Sequence, residues 1–473
     1  MIKSKLFGLS LFLLSMFGLS AGAVDYSGHY KDIPISLQQV VPVVIPANEV
    51  NVSDFGGKGD AVTLNTEAFE KAVSALSKRG GGRLTVSAGV WLTGPIRLKS
   101  NIELHIEKNA IIYFSPDKQL FVDKEGKAKR CDPGIRAVDC KNIAITGQGI
   151  IDGNGDQWRP VKRGKVSDTE WSYFKSIGGV ERQNGNLWYP WNVKAGYDNI
   201  AATAEKQEAM RNDVIRLTNC ENVLIEGVTV QNSPRFHVHP VNCRNVIIDG
   251  ITVRCPWNAQ NGDAIDLSDC QQALVVNSTV DAGDDGLCMK SGDYKKDAVA
   301  NGCSDILIDN CTVFHAHGGF VIGSEDITAM KNIVVRRCRF SGTDAGLRFK
   351  SAIGRGGRTE KIYISDIVMT DIKGAAITFQ CDYANRPAGH DASKEKAPAK
   401  LEKVPDFQDI HIENVTCRGA KTAIYAHGIE GQDCVHDINI SNSTIVYNKT
   451  GLDVDEKTAK LKLVNVIVKE DKQ

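Results

Sequence analysis

Asn222-Val223-Leu224-Ile225 is followed by Asn245-Val246-Ile247-Ile248, and the phrase keeps returning. Its core is an apolar residue, any residue and a second apolar residue, often after Asn and before Gly or Asn. Upstream it reads Asn142-Ile143-Ala144-Ile145. Downstream it reads Leu274-Val275-Val276, Ile306-Leu307-Ile308, Ile333-Val334-Val335, Ile362-Tyr363-Ile364, Ile410-His411-Ile412 and Ile438-Asn439-Ile440. From residue 223 to 362 the first apolar residue advances in steps of 23, 28, 32, 27 and 29 residues. Such a unit is too short to be a domain. It holds two or three β-branched strand segments between Gly, Asn and Asp turns, with Ile and Val alternating onto one face. A lone unit cannot bury that face; stacked units bury it as one apolar column with strands of successive turns paired in parallel. The expectation is an all-β, single-domain, right-handed parallel β-helix. Leucine-rich repeats are the rival, but the Leu spacing and helical segments they need are missing.

Working outward, an open solenoid end exposes apolar edges and needs a cap. Asn65-Thr66-Glu67-Ala68-Phe69 opens a helical pattern to about Leu76, with Phe69, Ala72, Val73 and Leu76 on one face. This predicts a short N-terminal capping helix. Two intervals in the repeat are long, which predicts loop insertions at about 153–212 and 383–405 within a β-helix domain spanning 51–473. The first insertion is rich in aromatics: Trp158, Trp171, Tyr173, Phe174, Trp188, Tyr189, Trp191 and Tyr197. Most should pack the insertion onto the barrel, leaving one or two to face a groove, and the insertion should close one end of that groove.

Residues 1–23 read as an address. Lys3 and Lys5 precede the apolar stretch Leu6–Leu19 and the small-residue site Ala21-Gly22-Ala23. The expectation is cleavage after Ala23, a lead segment over 24–50, and a periplasmic or secreted protein with no membrane attachment once the leader is gone. The 57 basic and 57 acidic residues cancel, which removes the basic signature of a nucleic-acid binder. Thirteen cysteines invite a disulfide framework. Cys140, Cys220, Cys243 and Cys270 instead occupy one repeat position, so a ladder of small buried groups is expected. No cysteine pair has zinc-site spacing.

The turns between Trp257 and Lys350 hold a polar series: Asn261-Gly262-Asp263, Gly283-Asp284-Asp285-Gly286, His315-Ala316-His317-Gly318-Gly319 and Arg348-Phe349-Lys350. The pieces are about one turn apart, so Asp263, Asp284, Asp285, His317 and Arg348 should stack along one strip at the strand spacing of about 4.8 Å. Arg348 and Lys350 share a strand face. Three packed carboxylates repel, and at least one should keep a proton at neutral pH. A protonated carboxyl beside an ionised one supplies the acid and base that glycosidic cleavage needs, and the guanidinium and ammonium can hold an acidic sugar. Each piece alone is an ordinary turn; Asp266 and His315 are read as structural. The ordered stacking is what points to catalysis.

The series resembles glycoside hydrolase family 28, the polygalacturonase family, whose pattern runs Asn-Thr-Asp, Gly-Asp-Asp, Gly-His-Gly and Arg-Ile-Lys. The departures are Gly262 for Thr, Ala316 for Gly and Phe349 for Ile. Phe379-Gln380-Cys381-Asp382-Tyr383 looks like the later segment with a functional Tyr, and Val52-Ser53-Asp54-Phe55-Gly56 extends the likeness towards the start. The resemblance implies inverting hydrolysis of α-1,4-galacturonosyl linkages in pectin or pectic oligosaccharides, with an exo-acting bacterial member as the expected form. Asp284 would protonate the leaving oxygen, Asp263 and Asp285 would activate water, and His317 would sustain the protonation of Asp284 or help bind substrate. Arg348, Lys350 and Tyr383 would hold the galacturonate, with His239 as a further candidate substrate contact. Adjacent Asp284 and Asp285 require a bend or bulge to share a site. No metal or cofactor is implied, and the expected partner is an acidic pectic polysaccharide or oligosaccharide. Endo-acting or rhamnogalacturonan-directed hydrolysis, a calcium-dependent lyase and a non-enzymatic carbohydrate-binding β-helix are the alternatives.

Overall fold

The computed structural model describes residues 24–122, 131–190, 208, 210–292, 302–383 and 403–471. The expected leader, Trp191 and Tyr197 of the first insertion, and most of the second insertion lie outside these residues.

Each turn of chain adds one strand to each of three faces. One face carries the recurring phrase, through Ile102–Ile106, Lys141–Gly147, Glu221–Glu226, Arg244–Asp249, Gln271–Val276, Cys303–Asp309 and Ala329–Arg336. A second runs from Ala110–Phe114 through Thr229–Gln231, Thr252–Arg254 and Thr279–Asp281 to Arg339–Ser341. The third runs through Ile215–Thr218, Val238–Val241, Ile265–Ser268, Asp285–Ser291, Gly318–Asp326 and Leu347–Lys350. Among the described residues 31 strands pair in parallel, as a right-handed β-helix. The register stacks equivalent residues: Val223 pairs with Val246, then Ala273, Ile306, Ile333, Ile362 and Ile410. All are buried.

The Asn that opens the phrase has a backbone reason. Asn142, Asn222, Asn245 and Asn332 have φ of 54°, 60°, 55° and 55°, the left-handed corner that Asn tolerates best after Gly. Their amides also form a ladder, Asn142 to Asn101, Asn222 to Asn142 and Asn245 to Asn222, at 2.7 to 2.9 Å. One residue type thus turns the chain and ties each coil to the last.

The capping helix spans Thr66–Lys78 and buries Ala68, Phe69, Ala72, Val73 and Leu76. The lead segment crosses the outside of the barrel. Tyr26, Tyr30, Leu37 and Val40 cover an outward apolar stripe of Ile247, Leu274, Val276, Leu307 and Val334. Polar contacts pin it: the Tyr26 hydroxyl donates to Asp249 at 3.2 Å, His29 Nδ1 lies 2.8 Å from Asp309, and Arg336 donates to the Lys31 carbonyl at 2.9 Å. All thirteen cysteines are free and buried. In the ladder, the Sγ of Cys220, Cys243 and Cys270 each donates to the carbonyl two residues back, at 3.4 Å.

Phe349, where the family pattern has Ile, points inward and stacks on Phe379 with ring centroids 4.6 Å apart. The substitution enlarges the aromatic core and leaves Arg348 and Lys350 on the outward face. Ile308 sits in the middle of the apolar column, between Val275 and Val335, and is fully buried. Ile308→Ala should therefore cost about 2–5 kcal/mol in urea unfolding with an unchanged m-value. A loss below about 1 kcal/mol would contradict a tightly packed column.

Candidate active site

Backbone hydrogen bonds between coils bring the polar series together. Gly283 N donates to Gly262 O at 3.2 Å, Ala264 N to Asp285 O at 2.9 Å, and His317 N to Asp284 O at 2.7 Å. The chain bends at Gly283-Asp284 and enters its strand at Asp285, so the two neighbouring acids reach one site. Gly283 is needed for this approach: a Cβ there would lie 2.6 Å from the Pro256 carbonyl oxygen and 2.7 Å from that of Ala259.

One oxygen of Asp284, one of Asp285 and a ring nitrogen of His317 lie within 4.8 Å of one another. His317 Nδ1 is 2.9 Å from Asp284 Oδ1. Lys350 Nζ donates to Asp285 Oδ2 at 2.7 Å, and Arg348 Nη1 is 3.9 Å from Asp285 Oδ1. Tyr383 joins them, its ring centroid 5.2 Å from Lys350 Nζ and 5.5 Å from the Arg348 guanidinium. Asp263 is buried on the preceding coil, where the charges of Asp284 and Asp285 act on it. Asp263 Oδ1 and Asp285 Oδ1 have no hydrogen-bond partner among the described residues. Buried acceptors of that kind are suited to a water or a sugar hydroxyl.

The protonation pattern differs from the expectation in one respect. The carboxyl that keeps its proton is Asp263, raised well above the carboxylate range by burial and by the charges of Asp266 and Asp284. Asp284 goes the other way. Burial alone would raise it, but His317 and the hydrogen bond from its ring, then Lys350 and Lys165, hold it well below that range. Asp285 is likewise held down, chiefly by Lys350 against burial.

His239 is a correction. Its ring is buried, with Nδ1 2.8 Å from Asp213 Oδ2 and Nε2 3.0 Å from Ser268 Oγ. Desolvation lowers it to about 4 despite Asp213. It is a neutral structural ring, buried with both nitrogens engaged by Asp213 and Ser268, which leaves neither for a sugar hydroxyl.

Sequence reasoning missed four cations. Lys290 is buried with Nζ 2.9 Å from Asp266 Oδ1, 3.5 Å from Asp263 Oδ2 and 4.0 Å from Glu325 Oε2. Glu325 reaches it through an irregularity in register: Met289 pairs with Ile322 but Ser291 pairs with Asp326, so Gly318–Asp326 bulges. Alternation offered a signal, since Leu287 and Met289 face the core and Lys290 must then face Asp266. Arg211, also buried, donates to the Gln260 carbonyl at 2.6 Å and to Asn261 Oδ1 at 2.8 Å, fixing the turn that presents Asp263. Lys162 and Lys165 come from the first insertion; Lys165 Nζ lies 3.3 Å from His317 Nε2. An ammonium only donates, so Nε2 accepts there and Nδ1 carries the proton that faces Asp284.

The spacing of Asp284, Asp285 and His317 would suit a divalent ion, but Lys350 and Lys165 already face two of these three groups. The charge is compensated by the protein's own cations, and the group reads as a proton-sharing cluster.

A family model described as Glycosyl hydrolases family 28 matches residues 165–467. That is well over half of the chain, and the chain belongs to this family. It is 28% identical over 406 residues to an exo-poly-alpha-D-galacturonosidase of Dickeya chrysanthemi, covering 82% of this chain and 65% of that enzyme. The chain thus spans just under two thirds of that relative's length. It is 27% identical over 371 residues to an endo-polygalacturonase of Pectobacterium parmentieri, covering 76% of this chain and 79% of that one. Among solved structures, an exopolygalacturonase from Thermotoga maritima superposes with a TM-score of 0.69 at 30% identity, covering 91% of this chain and 94% of that one.

Asp266 carries a pH signature. Burial, with Asp285 and Asp213 nearby, pushes it up to about 6 despite Lys290. The folded state therefore holds a proton that the unfolded chain releases near pH 4, and stability falls as pH rises through about 6. Asp266→Asn should flatten the decline in urea midpoint between pH 4.5 and 7. A decline parallel to that of the wild type would contradict the assignment.

Proposed function

We propose that this protein is an inverting hydrolase of α-galacturonosyl linkages in pectin or its oligosaccharides, acting from chain ends and releasing galacturonic acid. The carrying observation is the Asp284-Asp285-His317 cluster held against Arg348, Lys350 and Tyr383 on one outward face. The names of the relatives point the same way. A cationic clamp touching a carboxylate pair suits a substrate that is itself acidic.

Asp284 is the general acid, and His317 orients it. His317 Nδ1 donates to Asp284 Oδ1 at 2.9 Å. As substrate excludes water, desolvation favours the neutral carboxyl, and Asp284 takes up a proton from the departing solvent. Asp284 then gives that proton to the glycosidic oxygen as the C1–O bond breaks. Asp285, kept ionised by Lys350, takes the proton of the attacking water, whose oxygen bonds C1 from the opposite face. Asp263 keeps its own proton and orients that water. Arg348, Lys350 and Tyr383 hold the uronate at the cleavage point.

The first insertion supports end-specific action. It builds its own small core from Val161, Trp171 and Trp188 and brings Lys165 onto His317, so it stands over the cleft instead of leaving it open. The described aromatics mostly pack within it or onto the barrel, as Trp158 does on Phe121. The expected leader supports export, which would put the enzyme where the polymer is.

Asp284→Asn should keep the fold and lower kcat by at least about 100-fold. Wild-type digests of polygalacturonate, followed by chromatography in the presence of a chelator, should show galacturonic acid from the earliest times and no new ultraviolet absorbance. Full activity in Asp284→Asn would sink the acid assignment. An early ladder of oligomers would overturn exo action, and an unsaturated product would indicate a lyase.

A further inference from the structure

One ammonium, Lys290, is buried among three acids. Its Nζ lies 2.9 Å from Asp266 Oδ1, 3.5 Å from Asp263 Oδ2 and 4.0 Å from Glu325 Oε2. It also donates to Cys288 Sγ at 3.1 Å and stands 5.4 Å from the centre of the Phe236 ring. Cys288 Sγ in turn lies 3.7 Å from Asp285 Oδ2. Lys290 thus meets the water-orienting acid directly and the water-activating acid through a thiol.

Glu325 takes no part in the proton transfers, yet it is drawn into this group. Met289 pairs with Ile322 and Ser291 with Asp326, so Gly323, Ser324 and Glu325 stand opposite Lys290 alone. The extra residues of the bulge carry Glu325 to the ammonium. Its other oxygen is 3.6 Å from Arg355 Nη2, on the turn that follows Lys350. Burial alone would raise Glu325, but Lys290 and Arg355, with Lys350 beyond, hold it below its usual range.

The charges acting on Asp263 are those of Asp266 on its own strand, and of Asp284, Asp285 and Lys290 on the next coil. From the preceding coil, His237 meets its main-chain carbonyl at 2.8 Å and is kept neutral by burial. Arg211 is engaged at Gln260 and Asn261. Asp285 faces Lys350, Asp284, Lys290 and Arg348. Lys290 is the cation common to both acids.

We propose that Lys290 and Glu325 are a pair of positioning residues that set the pH window of catalysis. The ammonium holds Asp263 and Asp285 in their working states, and Glu325 restrains the ammonium. This rests on the hydrolase reading above, in which Asp263 keeps a proton and Asp285 has none. The two members then act with opposite sign. Without the ammonium, Asp263 and Asp285 both hold a proton more tightly. The acid limb, where Asp285 must ionise, and the alkaline limb, where Asp263 must stay protonated, both move to higher pH. Without Glu325 the ammonium is less balanced, protons leave both acids more readily, and both limbs move to lower pH. A pair that only braced the fold would lower the rate and leave the limbs in place.

The test is kcat/KM on polygalacturonate from about pH 3 to about pH 9, a ratio that reports the free enzyme's groups. Lys290→Met should raise both limbs by ~0.5 pH unit or more, and Glu325→Gln should lower both by ~0.3 or more. Glu325→Gln is nearly isosteric, so its profile alone decides if Lys290→Met does not fold. Limbs that stay in place or rise in Glu325→Gln overturn this inference alone. A wild type that releases no galacturonic acid at any pH overturns the underlying reading, and this inference with it.

Discussion

Backbone hydrogen bonds between successive coils hold side chains about 4.8 Å apart, whatever their separation along the chain. The site depends on this one constraint. Asp263 and Asp284 are a coil apart, as are Asp284 and His317, and the coils are tied by main-chain bonds such as His317 N to Asp284 O at 2.7 Å. The ladder that buries Ile and Val inward is the same ladder that stacks the acids outward. A slip of one residue would turn Leu347 and Phe349 out of the core and Arg348 and Lys350 into it. The register is therefore fixed by the apolar column, and the catalytic geometry follows from it.

Stacking acids in this way creates an electrostatic problem, which the structure resolves with buried cations. Lys290 sits between Asp263 and Asp266, and Lys350 sits on Asp285. With one proton retained by Asp263, the cluster is close to neutral and its members have different roles. Asp285 is held as a base, while Asp284 gains its proton only as substrate excludes water. Two carboxyls adjacent in sequence thus diverge because one faces an imidazole and the other an ammonium.

Much of this was legible in the sequence. The apolar phrase gave the winding, and its step length placed Asp263, Asp284, Asp285, His317 and Arg348 on one strip. The cap was visible because Phe69, Ala72, Val73 and Leu76 obey helical spacing. What escaped depends on three-dimensional details without a repeat. Lys165 and Arg211 reach the site from an insertion whose path no periodicity describes. Glu325 reaches Lys290 only through a bulge, which breaks the period that made the rest readable. His239 was misplaced for a different reason: a motif suggests proximity, but Asp213 and Ser268 occupy both ring nitrogens inside the wall.

The central claim, that coil register assembles one proton-sharing cleft between two cationic ends, is tested most directly by a crystal structure of the Asp284→Asn variant with a bound oligogalacturonide. The account predicts the scissile oxygen within hydrogen-bond reach of residue 284, a water on the opposite face touching Asp285, and one uronate carboxylate on Arg348 and Lys350. An oligosaccharide bound on another face of the barrel, with residues 263, 284 and 285 free of sugar, would contradict it.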